Sequence, residues 1–215
     1  MNTLTNDMKV ALYHEITEHL LKDEKPSDYL QEKSRECEFQ EYPFHLLIDL
    51  KKTEQSEKYH PEGSVWNHTM LVLDEAAKVI TQSKNPKAFM WAALLHDIGK
   101  PGTTRMRKGR ITSYDHDREG EKISREFLSA LTDEEVFIEQ VSALVRYHMH
   151  MLYVLKNLPF QDIKNMVNRV ELEEIALLSK CDRLGRMGAD RREEEEQYQE
   201  YCRRLKKEYD NKINK

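Results

Sequence analysis

Phe89–Arg105 reads FMWAALLHDIGKPGTTR, and the reading of this stretch decides how the rest of the chain is understood. Pro86 suits the first turn of a helix whose apolar residues continue to Leu95, with His96 at its end. At eight residues, the run Ala88 to Leu95 is far below the ~20 needed to span a bilayer. His96 and Asp97 would point about 100 degrees apart in a continuing helix, whereas a helix end leaves both free to converge on one space. Beyond them, Gly99, Pro101, Gly102 and Gly109 interrupt the pattern and predict a loop of roughly 15 to 20 residues.

Working outward, only seven glycines and six prolines punctuate the 215 residues. Leu, Glu, Lys, Arg, Met and Ala dominate, so an almost entirely helical protein is expected. Leu4, Met8, Leu12, Ile16 and Leu20 share one side of a first helix over about Leu4 to Leu21. A second helix is expected after Pro26, and Pro43 separates it from an apolar segment carrying Phe44, Leu47 and Leu50. KKTEQSEKYHPEG reads as a connection into the functional core. Ser64 is placed to cap a helix bearing Trp66, Met70, Leu73, Ala77 and Ile80, with His68 just off its apolar stripe. Helical patterning resumes over about Arg118–Leu128, and again from Asp133 to His148 with Thr132 as candidate cap. Asp182 lies inside the apolar segment Leu172–Leu184, where a carboxylate without a partner would be costly. From Asp190 a charged helix is expected to pack through Tyr198, Tyr201, Leu205 and Tyr209. Trp66 and Trp91 read as core, and Met149 and Met151 as adaptable packing.

Thirty-four Lys plus Arg against 39 Asp plus Glu give a formal charge of -5, which disfavours nucleic acid as a partner while allowing a local positive pocket. Three widely separated cysteines, Cys37, Cys181 and Cys202, have neither metal-ligand spacing nor an even count for a disulfide framework. With no signal or membrane segment evident, the expectation is a cytoplasmic protein with no membrane partner. A homo-oligomer is left open.

Imidazole nitrogens and carboxylate oxygens suit Mn, Fe, Co, Ni or Zn, with Mg also admissible, and a carboxylate can bridge two ions. His68 and Asp182 are placed to complete one site with the adjacent pair, and His116 and His148 to join Asp97 in a second. His150 competes with His148, although at roughly 200 degrees of helical rotation it should face elsewhere. Lys100 supplies a compact charge for a phosphate, Arg105 is the second candidate from the same loop, and Arg107, Lys108 and Arg110 crowd the same segment.

The ordered motifs VWNHTMLVLDEAA, WAALLHDIGKPGTTR, YDHDREGEKIS, LVRYHMH and LLSKCDRLGR together resemble the HD phosphohydrolase superfamily. The likeness is to the helical HD domain attached to bacterial tRNA nucleotidyltransferases and to stand-alone nucleotide phosphohydrolases. It implies an all-α HD-domain helical bundle in which His68, His96, Asp97 and Asp182 form the metal core, with His116 and His148 as the added histidines of two-metal members. It further implies hydrolysis of a phosphoester in a nucleotide or related small metabolite by metal-activated water, using one or two divalent ions; the expected catalytic residues are Asp97, with Lys100 and Arg105 as the phosphate contacts read from the basic loop. Whether a monoester or a diester is cleaved stays open. The alternative is a metal-stabilised ligand-sensing or protein-interaction domain without hydrolase activity. The expected division is an N-terminal extension over 1–63, the core over 64–188 and a charged C-terminal helix over 189–215.

Overall fold

The computed structural model describes residues 4–213, with side chains through Asp210. The fold is almost entirely helical. It begins with α1 (Asn6–Lys22), whose first turn is capped by Thr5 accepting the Met8 N–H at 3.3 Å. Leu12, Tyr13, Ile16 and Leu20 are buried along this helix, whereas Met8, expected on the same stripe, is exposed. There follow α2 (Pro26–Lys33), the single turn α3 (His45–Ile48), and α4 (Val65–Val79). Ser64 caps α4 by accepting the Asn67 N–H.

At the centre is α5 (Pro86–Leu95), where every residue from Ala88 to Leu95 is buried. A helix apolar on all sides is stable only when neighbours surround it, and α5 packs against both α1 and α4. Each large apolar side chain so buried contributes roughly 1.5–3 kcal/mol. Trp91, fully buried as a core residue, donates its indole N–H to Thr17 Oγ1 at 3.0 Å, tying α5 to α1.

The segment after Asp97 departs from the expected loop. It holds one turn of helix, α6 (Lys100–Thr103), and an antiparallel hairpin of β1 (Arg105–Arg107) and β2 (Arg110–Thr112). Lys108 and Gly109 both have positive φ, 49° and 73°, which is the two-residue turn that matches the twist of flanking strands. A three-residue strand is too short to show alternation, so glycine and proline breakers around it carry no strand signal in the sequence.

The remaining helices are α7 (His116–Ser129), α8 (Glu135–Tyr147), α9 (His150–Leu155), α10 (Ile163–Arg169), α11 (Leu172–Leu184) and α12 (Arg191–Ile213). Helix α8 starts two residues later than expected, and Thr132 accepts the Glu134 N–H in the preceding turn. Both α8 and α11 also pack on α5, and α7 lies along α8. Tyr201 and Leu205 bury α12 against the body, but Tyr209, expected to pack, is exposed. Among the described residues no helix is long and apolar enough to cross a membrane.

Candidate metal centre

Helix ends build the site. His96 caps the C-terminus of α5 with Asp97 next to it, His148 caps the C-terminus of α8, His116 opens α7, and Asp182 lies in the last turn of α11. His68 comes from the first turn of α4. Two C-terminal ends, those of α5 and α8, bring the negative pole of a helix dipole to the same place, a field that favours a cation.

Three of the four histidines are oriented alike. Nδ1 of His96 lies 2.8 Å from Ala93 O, that of His116 2.7 Å from Ser113 O, and that of His148 2.6 Å from Val145 O. A carbonyl only accepts, so each Nδ1 donates its proton to the chain three residues back, leaving the Nε2 lone pair facing inward. This outer support is the arrangement that fixes metal-ligating histidines.

Inward, the donors form two triads. His68, His96 and Asp182 offer ligand atoms within 4.8 Å of one another, and so do Asp97, His116 and His148. Asp97 lies between them: Oδ2 is 3.2 Å from His96 Nε2, while Oδ1 is 3.4 Å from His116 Nε2 and 3.8 Å from His148 Nε2. His116 Nε2 and His148 Nε2 face each other at 3.2 Å. Two inward lone pairs this close repel unless a proton or a cation sits between them. Buried His96 Nε2 has no aligned hydrogen-bond partner, an omission that costs ~1–3 kcal/mol unless something else satisfies it. The donor set, its orientation and this unsatisfied nitrogen fit divalent cations.

The electrostatics agree. Burial alone would raise the Asp97 pKa, but Lys100 and His96 hold it well below the usual carboxylate range. Burial likewise opposes ionisation of Asp182, and Arg186 and His68 prevail. Burial, reinforced by neighbouring His116 and His96, depresses the His148 pKa to about 4. Burial also lowers His116, with Asp97 only partly offsetting it. Neutral imidazoles are the form a metal binds.

Lys100 is buried, with Nζ 2.6 Å from Asp97 Oδ2 and donating to Gln55 Oε1 at 2.6 Å. Arg105 is not brought to the cluster. It is exposed at the start of β1, its guanidinium donates to Thr104 O, and among the described residues it touches none of the six donors. His150 is buried but its Nε2 accepts the Asp162 N–H at 3.1 Å, which occupies the lone pair a metal would need.

One residue went unread in the sequence. Glu62, buried in the segment before α4, places Oε1 3.0 Å from His68 Nδ1 and 2.9 Å from His60 Nδ1, while Oε2 accepts the Met187 N–H at 3.2 Å. It therefore joins the ligand on α4 to the chain just beyond α11. The contact to His68 is in ion-pair range but out of line for a full hydrogen bond. On the other side of the ring, His68 Nε2 lies 2.9 Å from Asp182 Oδ1. Burial works against a charged His68, yet the two carboxylates win and its pKa is raised; a cation entering here takes the place of that inner proton. The signal for Glu62 was its polarity in a turn before a capped helix, which marks thousands of surface loops equally well. Glu62→Gln is expected to lower metal affinity about 10- to 100-fold, the range for lost outer-shell partners, with chelator competition as the measurement and an unchanged affinity as the refuting result.

The histidines also set the acid response of the metal-free protein. Burial lowers the folded-state pKa of His60, His116, His148 and His150, the last two to about 4, whereas that of His68 is raised. In the unfolded chain they titrate near 6.5, so between about pH 6.5 and 4 the unfolded state binds more protons. Stability should accordingly fall by a few kcal/mol as pH drops through this window. Urea unfolding in the presence of EDTA at pH 7.5 and 5 measures it, and equal midpoints would contradict the assignment.

Comparison with known proteins places these residues in a family context. The model of the HD domain family matches residues 65–187. The chain is similar to the Multifunctional CCA protein of Actinobacillus pleuropneumoniae serotype 5b, at 29% identity over 147 residues, which is 65% of this chain and 35% of that protein. It is 38% identical over 84 residues to the Multifunctional CCA protein of Haemophilus ducreyi, covering 39% of this chain and 20% of the relative. For the Multifunctional CCA protein of Pseudomonas fluorescens the identity is 28% over 188 residues, 84% of this chain and 44% of the relative. The chain thus spans less than half the length of these curated relatives.

Proposed function

The chain belongs to the HD domain family, and from that premise we propose that it hydrolyses a phosphoester in a nucleotide or related small phosphorylated metabolite. Its clustered histidines and aspartates are of the metal-holding kind typical of HD-domain phosphohydrolases. The observation that carries the reading is the pair of buried donor triads meeting at Asp97. In this reading His68, His96 and Asp182 would hold one ion and Asp97, His116 and His148 a second. Nitrogen and oxygen donors favour Mn, Fe, Co, Ni or Zn over Mg. A divalent cation bound there lowers the pKa of its water toward 7 and neutralises charge on phosphate oxygens.

The chain's own groups do the rest. Lys100, steadied by Gln55, offers a fixed positive charge beside Asp97 for a phosphate oxygen, a donor that needs no rearrangement as charge builds. Asp97 presents one oxygen toward His96 and the other toward the two histidines of the second triad. Residues 64–188 would form this core, with 1–63 packed on it through α1 and 189–215 as the charged terminal helix.

The test is turnover of p-nitrophenyl phosphate, bis-p-nitrophenyl phosphate and a nucleotide panel by protein loaded separately with each divalent ion. Turnover by one metal form and not by the EDTA-treated protein is expected. If protein of verified metal content cleaves nothing, the hydrolytic reading falls. The second reading, a metal-stabilised ligand-sensing or interaction domain, is favoured by one observation: all six donors are no more than 6% exposed, as in closed structural sites. Metal removal that unfolds an inactive protein would select it.

A further inference from the structure

The β1–β2 hairpin carries charge that the fold does not use. Between Asp97 and Asp115 the sequence has no acidic residue, yet it holds Lys100, Arg105, Arg107, Lys108 and Arg110 in a chain of formal charge -5. The register pairs Arg105 with Thr112, Met106 with Ile111 and Arg107 with Arg110. Opposed residues of a hairpin share a face, so Arg105, Arg107 and Arg110 lie on one face and Met106 and Ile111 on the other. The second pair lines a cleft of about 320 Å³ with Pro101, Thr104 and the Lys52–Glu54 segment, and Arg105 at the base of the hairpin also contributes to its lining.

Like charges directly across a ladder are destabilising, and among the described residues no carboxylate relieves the Arg107–Arg110 pair. Among the described residues none of Arg105, Arg107, Lys108 and Arg110 makes an ion pair, whereas Arg125, Arg146, Arg169 and Arg183 are each matched to a carboxylate. Among the described residues the one ring beside these cations is that of Tyr114, with the Arg107 guanidinium 5.2 Å from its centroid; its side chain is largely exposed.

The hairpin is also anchored at the metal centre. Its entry residue Thr104 donates both N–H and Oγ1 to Lys100 O, at 2.9 and 2.7 Å, and Thr104 Oγ1 meets Ser113 Oγ at 2.7 Å. The exit residue Ser113 holds His116 Nδ1 through its carbonyl. From this base the cationic face runs outward for about 10 Å at the rise of a strand, further than the phosphate of a mononucleotide held at the base would reach.

We infer that the Arg105, Arg107, Arg110 face with Lys108 and Tyr114 binds a single-stranded oligonucleotide, tracking its phosphodiester backbone away from the metal centre. A row of unpaired cations beside an exposed aromatic is the arrangement that binds single strands, the charges following the backbone and the ring stacking on a base. The average charge of the chain conceals this because the acids lie elsewhere. The inference rests on the hydrolytic reading for its view that the strand end enters the site, but binding itself does not require turnover.

Fluorescence anisotropy of the full chain with a labelled oligothymidylate of about twelve nucleotides tests it. With three to four phosphates neutralised, log affinity should fall against log salt with a slope of about -2 to -3. R107Q/R110Q should weaken binding tenfold or more and flatten the slope by about 1.4, at about 0.7 per contact. Tyr114→Ala should weaken binding about five- to tenfold with the slope unchanged, since stacking releases no counterions. Absence of wild-type binding, or the same slope in R107Q/R110Q, overturns the inference. Strand binding without hydrolysis of any phosphoester would keep it and remove the hydrolytic reading; hydrolysis of small phosphoesters without strand binding would do the reverse.

Discussion

Asp97→Asn is expected to give a folded protein that holds little metal and cleaves phosphoesters at least about a thousandfold more slowly in kcat/KM, some 4 kcal/mol of transition-state stabilisation. Asparagine keeps the volume of the side chain, so no cavity forms. What it loses is the charge at the one point where both triads meet, between His96 and Lys100 on one oxygen and His116 and His148 on the other. Because Asp97 is held ionised, the change removes a full negative charge that would otherwise offset two cations. Lys100 retains its bond to Gln55 but loses its carboxylate partner, so a drop in Tm from the uncompensated buried ammonium is expected alongside the loss of metal. Metal content by mass spectrometry, turnover and thermal unfolding should be read on the same preparation. Full metal occupancy with wild-type rates would remove Asp97 from the centre, and an unfolded variant would move the metals to a structural role.

Gly99→Ala should be nearly as damaging without touching a single donor atom. A Cβ at this position would lie 2.2 Å from His116 O, 2.5 Å from Gly120 N and 3.0 Å from Gly120 Cα. All three obstacles are backbone, so no rotamer relieves them, and the start of α7 must move away from the turn that carries His96 and Asp97. Overpacking of this kind costs about 1–3 kcal/mol, or roughly 2–12 °C in Tm for a chain of this size. Since His116 opens α7, metal affinity should fall as well. Gly102→Ala is the matched control, because nothing lies within 4 Å of a Cβ there. Equal Tm and equal metal binding in the two variants would show that the close approach of the two segments has no such consequence.

The contrast between these two glycines shows how far the sequence could be read. Both appear in IGKPG as breakers of a helical pattern, and the pattern alone assigns them one meaning. Gly99 faces the backbone of α7 and Gly102 faces open space, a difference created by residues 17 and more positions downstream. Glu62 is a similar case. Its contact with His68 is local in sequence, but its bond to Met187 crosses 125 positions, and no local pattern reports such a partner. Arg105 fails in the opposite sense. Nearness in sequence to Asp97 suggested a place in the site, and the hairpin carries it outward, because a strand leaving a helix turn separates its residues from the base by over 3 Å per step.

By itself the sequence determined the helical class, the buried central helix ending in His96 and Asp97, and the residue types able to hold a cation. Local propensity, capping and apolar periodicity act over a few residues and are therefore written where they operate. Only the tertiary structure decided which lone pairs converge, which arginines remain unpaired and which glycine is indispensable. Those outcomes depend on distances between segments far apart in the chain, set by how α4, α7, α8 and α11 pack around α5.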